Sequence, residues 1–206
     1  MENSTGHQQG PHSFVGGHPY LDFLNTGGGK NKARDVRGFD DWPALLDWLA
    51  AAGLLEPGER AGLQRLAAGR PARAALDRLV THRENAYEVL AAVAHGLPPP
   101  PAGVARLEND LRAALRHATL RLAGPGPGAW RVDAAAAGLD LPRHRLALAA
   151  QALIADGLLP RLRQCEACSW LFLDTSRGGR RRWCSMATCG NRAKARRHYH
   201  AQSLAN

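Results

Sequence analysis

All four cysteines of the 206-residue chain stand near its end: Cys165, Cys168, Cys184 and Cys189. Two residues separate the first pair, 15 separate the pairs, and four separate the second pair. Two close pairs joined by such a loop match a four-thiolate zinc site. Each short pair turns back on itself and presents two sulfurs to one ion. The long loop brings the second pair round. Four thiolates fill a tetrahedron and leave no position for water, so the expected cofactor is one structural Zn2+. A disulfide framework fits poorly, because 164 residues without cysteine precede the first pair and need no staples. Oxidation of zinc thiolates keeps a redox sensor as an alternative.

The charge points to a polyanionic partner. The chain carries +9, and residues 161–206 hold 10 Lys+Arg against 2 Asp+Glu. The remaining 160 residues hold 17 against 16. With four thiolates and one zinc ion counted, the tail still carries about +6. The cations form two runs: Arg177, Arg180, Arg181 and Arg182 in the inter-pair loop, then Arg192, Lys194, Arg196 and Arg197 after Cys189. From Gly190 onward the spacing predicts a helix, with Arg192 and Arg196 on one face. These eight residues and Asn191 are the candidate DNA contacts. RNA or ribosome binding is the competing use of the same features. Trp170, Phe172 and Trp183 offer either stacking surfaces for bases or a small core around the metal. The core reading is favoured, because so short a module must bury its apolar mass.

The elements ahead of this tail read as a mainly α fold. Residues 1–13 read as a disordered leader, 14–160 as a helical domain and 161–206 as the zinc module. Residues 20–26 form a short apolar segment, helix or strand, ended by Gly27-Gly28-Gly29, which read as a flexible turn. Asp41 is an N-cap for a helix ending at Gly53. A second helix is expected over 58–68, with Leu63 and Leu66 inward. A long one follows Pro71, with apolar positions Leu76, Leu79, Val80, Tyr87, Leu90 and Val93 at helical spacing, a pattern broken by the polar stretch 81–85. After the break at 98–101 comes a helix over 104–118. A β-hairpin pairs 120–122 with 130–132 around a Gly/Pro turn at 124–128. Asp140 caps the last helix, whose inward stripe includes Leu146, Leu153 and Ile154. A four-cysteine knuckle or ribbon, a strand over 169–174 and the basic helix complete the chain.

Asp22, Asn25 and Thr26 are polar residues within an apolar segment. They either line a ligand pocket or cap a helix and bind neighbouring backbone. The domain shows no nucleophile–base pair, metal-ligand cluster or phosphate loop, so an enzyme is not expected. No apolar run is long enough to span a membrane, and the polar opening lacks a secretory core. The expectation is a cytoplasmic protein without a membrane partner.

The run Arg182-Trp183-Cys184 through Cys189-Gly190-Asn191-Arg192-Ala193-Lys194 closely resembles the CGNR zinc-finger family. Cys165, Cys168, Trp170-Leu171-Phe172 and Asp174-Thr175-Ser176 extend the match. The resemblance implies that the four cysteines bind zinc and that the module binds DNA. Leu21-Asp22-Phe23-Leu24-Asn25-Thr26 and the Trp48-Leu49 helix resemble the ABATE domain found ahead of such fingers. That resemblance implies a transcription regulator responding to stress or to a small-molecule effector. A single finger buries little surface, so a homodimer is expected. A protein-interaction module is the remaining alternative. Loss of Cys165 is expected to unfold the tail alone.

Overall fold

The computed structural model describes residues 13–34, 39, 41–67, 70–122 and 129–203. Residues 1–12 of the expected leader and the expected turn at 124–128 lie outside these. Helices dominate, with two small antiparallel hairpins.

Local chemistry sets most boundaries. His18 Nδ1 accepts the Tyr20 N–H at 3.2 Å and starts α1 (Pro19–Leu24), which resolves the helix-or-strand alternative. Asp41 caps α2 (Trp42–Ala51) by accepting the Ala44 N–H at 2.9 Å, with Pro43 in the first turn. α3 (Glu59–Leu66) buries Leu63, but Leu66, its last residue, is 57% exposed, with no element among the described residues covering it. Pro100 and Pro101 stop the preceding chain and also start α5 (Pro101–Arg116), since proline suits a first helical turn. Strands β1 (Ala118–Arg121) and β2 (Ala129–Val132) pair with Leu120 opposite Trp130. The four-residue α6 (Ala134–Ala137) follows, then α7 (Leu141–Ala155). Asp140 precedes α7 without capping it; its carboxylate meets Arg78 and Arg143 instead. Ile154 falls off the buried stripe and is 49% exposed.

The long helix expected after Pro71 is present as α4 (Arg70–Ala94), and the polar stretch 81–85 lies within it. His82, Arg83 and Asn85 are buried. Burial is tolerable because each has partners. His82 lies between the Tyr20 hydroxyl at 3.1 Å and Asp110 at 2.6 Å. Arg83 donates to Thr26 Oγ1 at 3.0 Å and to Glu84 at 2.7 Å. Asn85 donates to the Gly103 carbonyl at 3.1 Å. Arg34 also grips Glu84, at 2.7 and 3.0 Å, and lies over the Tyr87 ring. Burial alone would raise the Glu84 pKa, but the two guanidiniums outweigh it and hold the carboxyl below its ordinary range.

The second hairpin joins two cores. Strands β3 (Leu162–Gln164) and β4 (Leu171–Leu173) pair with Leu162 opposite Leu173. Side chains alternate along a strand. Leu162, Leu171 and Leu173 enter the main helical core, whereas Phe172 enters a second core with Trp170 and the four cysteines. Residues 13–34 strap this hairpin down. Gly16 O accepts from Leu173 N at 2.8 Å, and Asn31 O accepts from Ser169 N at 2.9 Å. Asn25 does the work of a strand at the edge of β4: it accepts from Leu171 N and donates to Leu171 O, both at 2.8 Å. Tyr87 on α4 donates to Ser169 O at 2.7 Å.

The glycine triplet is a close crossing as well as a turn. Gly28 and Gly29 have φ of 84° and 110°, which side chains rarely adopt. A Cβ on Gly28 would strike Ser169 Oγ, and one on Gly29 would stand 2.8 Å from the Trp170 ring.

Asn25→Ala leaves the buried Leu171 N–H and C=O without partners. Equilibrium unfolding in urea should show a loss of about 2–4 kcal/mol.

Candidate metal centre and nucleic-acid interface

The four sulfurs lie within 4.8 Å of one another, and all four cysteines are fully buried. Cys168 and Cys184 Sγ are 3.7 Å apart, and Cys184 and Cys189 Sγ are 3.6 Å apart. Zn–S bonds of about 2.3 Å in a tetrahedron require sulfurs roughly 3.8 Å apart. A disulfide needs about 2.05 Å, so these spacings suit a shared ion rather than a bond.

Short turns build the site. Cys165 N donates to Trp170 O at 2.9 Å and closes the first knuckle. Of the second pair, Cys189 is carried by a wide turn, Met186–Gly190, that leads directly into α8 (Asn191–Ser203). A Cβ on Gly190 would lie 2.7 Å from Met186 Sδ, the far end of a flexible, half-exposed side chain that would have to move aside. The N–H groups of Cys184 and Trp170 hydrogen-bond the sulfurs of Cys165 and Cys168. Hydrogen bonds from the other three sulfurs pull Cys165 far below the ordinary thiol range, while Cys168 and Cys184 are pushed up. Without a cation the sulfurs must share protons. A dication lets all four ionise, and this donor set fits zinc.

The basic residues divide into two groups. Four of the nine candidates are engaged within the protein. Arg192 donates to Cys189 Sγ at 2.9 Å, Lys30 O at 3.0 Å and Gly29 O at 3.3 Å. It therefore ties a metal ligand to the strap. Arg181 lies over the Phe172 ring and donates to the carbonyls of Trp183 at 2.9 Å, Val15 at 3.2 Å and Cys184. Arg182 pairs with Glu166 at 2.7 Å and lies over Trp183. Asn191 donates to Ala187 O at 3.2 Å, within its own turn. The side chains of Arg177, Arg180, Lys194, Arg196 and Arg197 are exposed and have no hydrogen bond or ion pair among the described residues.

Two further arginines were missed in the sequence. Arg161 and Arg163 flank a cavity of about 270 Å³ whose other walls include Asp174, Thr175 and Ser176. Their position beside the first pair was legible, but only the pairing of β3 with β4 brings them to the 174–180 turn. Asp174 holds that turn, accepting from Ser176 N at 2.9 Å and Arg181 N at 2.8 Å. Trp170 and Phe172 are buried around the metal site, and Trp183 is half-buried.

The three polar residues of the α1 segment face protein. Asp22 accepts from Gly16 N at 2.7 Å. Burial lifts its carboxyl to about 6, against the opposing hydrogen bonds from Gly16 and Val15. Asn25 is committed to Leu171. Thr26 donates to Phe23 O at 2.7 Å and accepts from Arg83. These residues line neither of the two cavities described, the second being a cleft of about 400 Å³ between α4, α5 and α7.

Comparison with known families gives two matches. Residues 17–159 match the ABATE model, described as a putative stress-induced transcription regulator. Residues 161–202 match the CGNR zinc finger. No curated protein matches the chain. No helix among the described residues is long and apolar enough to cross a membrane.

Metal analysis of the purified chain should find one zinc per polypeptide, and Cys165→Ser should lose it. Because Leu162, Leu171 and Leu173 belong to the helical core, metal loss should lower the melting temperature of the helices too. That corrects the expectation of an independent tail. Arg192→Ala should weaken zinc retention by roughly 10–100-fold in a chelator competition, because it removes a hydrogen bond to a ligand sulfur.

The buried Asp22 sets a pH dependence. A carboxyl raised in the fold favours folding in its protonated form, so its contribution is fully present below about 3.9 and lost as pH rises through about 6. Melting temperatures from pH 4 to 7 should diverge between the unaltered chain and Asp22→Asn. The variant should gain relative stability toward pH 7.

Proposed function

The chain belongs to the ABATE family and carries a CGNR zinc finger after that domain, and on that premise we propose that it is a DNA-binding transcription regulator. The finger binds the duplex, and the helical domain senses a small molecule or stress signal and mediates dimerisation. The observation that carries this reading is the exposed set Arg177, Arg180, Lys194, Arg196 and Arg197 beside the buried four-cysteine cluster.

The physics favours phosphate contacts. The charge is segregated into the finger, whereas the helical part is nearly neutral. Cations without internal partners can neutralise phosphates and release counterions, so affinity must fall with salt. α8 is held at its start by the turn bearing Cys189, so its cations project from a fixed base. Phosphate contacts fix register on the duplex; base readout requires additional contacts in a groove. One finger offers little surface, so a homodimer supplies the area that specific binding needs.

The division among the arginines sharpens the test. Arg196→Ala removes a free cation and should reduce the slope of log affinity against log salt by about 1, leaving zinc content unchanged. Arg192→Ala should act through the metal instead. Fluorescence anisotropy with duplex DNA at several salt concentrations, with chelated and RNA-competed controls, measures both. Absent or zinc-independent binding would overturn the reading. A preference for structured RNA would replace DNA by RNA as the partner.

A further inference from the structure

Residues 161–206 hold ten basic residues, and eight of them stand in the inter-pair loop or after Cys189. The other two, Arg161 and Arg163, belong to the β3–β4 hairpin. Arg163 lies within β3 and stands opposite Phe172 in the register. Asp174 N extends that ladder by donating to Arg161 O at 2.8 Å. Cross-strand partners project from one face, and alternate residues share it. Phe172 enters the core around the metal site, so Arg163 takes the finger's face of the hairpin, and Arg161 takes it too. Leu162 between them enters the helical core. The two arginines meet the 174–179 turn across a notch of about 270 Å³, lined also by Asp174, Thr175, Ser176 and Gly179.

The finger has no acid to spare for these arginines. It holds two, Glu166 and Asp174. Glu166 is taken by Arg182 at 2.7 Å. Asp174 is buried, and its oxygens accept from Ser176 N at 2.9 Å, Ser176 Oγ at 2.6 Å and Arg181 N at 2.8 Å. Its carboxylate offsets one of the two guanidinium charges without pairing with either. Arg177 and Arg180, exposed on the same turn, add to the excess. The Arg161 side chain is exposed and makes no hydrogen bond or ion pair among the described residues. Arg163 donates through Nη1 alone, to Pro160 O at 2.9 Å and Leu162 O at 2.8 Å. The exposed Thr175 hydroxyl is uncommitted as well. Three side chains thus offer donors at one notch, and a backbone phosphate brings both the acceptor oxygens and the negative charge that they lack.

We propose that the β3–β4 hairpin is a third contact element for the DNA backbone, with one phosphate seated by Arg161, Arg163 and Thr175. The proposal rests on the DNA-binding function proposed above. It extends the contact surface from α8 and the inter-pair loop to the seam with the helical domain. Arg177 and Arg180 flank the seat on the same turn and supply the neighbouring phosphate contacts. Because Leu162 stands between the two arginines and inside the helical core, a shift of that core displaces the seat.

The test uses the zinc-loaded full chain and a fluorescein-labelled DNA duplex, followed by anisotropy at several salt concentrations. Arg161→Ala should lower the slope of log affinity against log salt by about 1, and the double change Arg161→Ala with Arg163→Ala by about 2. Thr175→Val should raise the Kd by roughly 3–10-fold with the slope unchanged, because it removes a hydrogen bond and no charge. Arg65→Ala, an exposed change on α3, should leave both unaltered. Unchanged zinc content and melting temperature confirm that the variants are folded. With 15N-labelled arginine, the Nε–Hε signals of Arg161 and Arg163 should shift saturably as duplex is added, and that of Arg65 should not. Duplex binding with an unchanged slope in Arg161→Ala, or with an unshifted Arg161 signal, overturns this proposal alone. No duplex binding by the unaltered chain, or stronger binding of structured RNA, overturns the DNA reading and this proposal with it.

Discussion

One three-residue strand has to satisfy two cores at once. β4 sends Leu171 and Leu173 into the helical core and Phe172 toward the metal site. Its free edge would leave the backbone of Leu171 unpaired in a dry environment, which is costly. Asn25 removes that cost by supplying a carbonyl and an amide in strand-like geometry. Much of the surrounding structure positions this amide. Proline and His18 start α1, Arg34 holds the carbonyls of Leu24 and Gly27, and the glycines let the strap cross Trp170 closely.

The metal site and the clamp are mutually dependent for an energetic reason. The second core is small, and a module of this size cannot bury enough apolar area to hold itself together. Zinc can supply the missing free energy, and the strap from the helical part supplies the rest. Arg192 and Arg181 make the link physical. Each donates both to groups in the finger and to carbonyls of residues 15–30. Arginine suits this work because its planar fork serves several acceptors at once. The guanidiniums that a charge count assigns to DNA are thus partly consumed in holding the fold. The cations left over define a smaller surface for a polyanion.

Buried charge organises the helical part in the same manner. Arg83 lies fully inside α4, with Glu84 and Thr26 as partners, and Arg34 closes the cluster from the strap. Next to it along α4, Tyr20, His82, Asp110 and Arg143 form a second chain of polar contacts leading to the cleft between α4, α5 and α7. α1 touches both networks, through Thr26 just beyond its end and through Tyr20. A change at either is therefore felt at the clamp on β4.

The cysteine spacing was sufficient to read the metal site, because thiolates that share an ion must come in close pairs. The cap at Asp41, the proline break before α5 and the β1–β2 pairing were legible as local chemistry, whereas the start of α1 at His18 was not. The segregation of charge was legible by counting. Other features were not. A polar run such as 81–85 breaks a helix or sits inside one according to whether partners arrive from distant parts of the chain, and Tyr20, Thr26, Gly103 and Asp110 do arrive. Leu66 and Ile154 fit a helical stripe, yet both are left exposed among the described residues. Asp22 and Asn25 read equally as pocket or brace until β4 lies beside them. The sequence by itself determined the ligand set, the helical character and the sign of the finger's charge, since these depend on residue type and short spacing. Tertiary structure alone decided which of the candidate arginines remain free among the described residues and where the two parts fuse. Those depend on contacts between residues up to 166 positions apart, as between Val15 and Arg181.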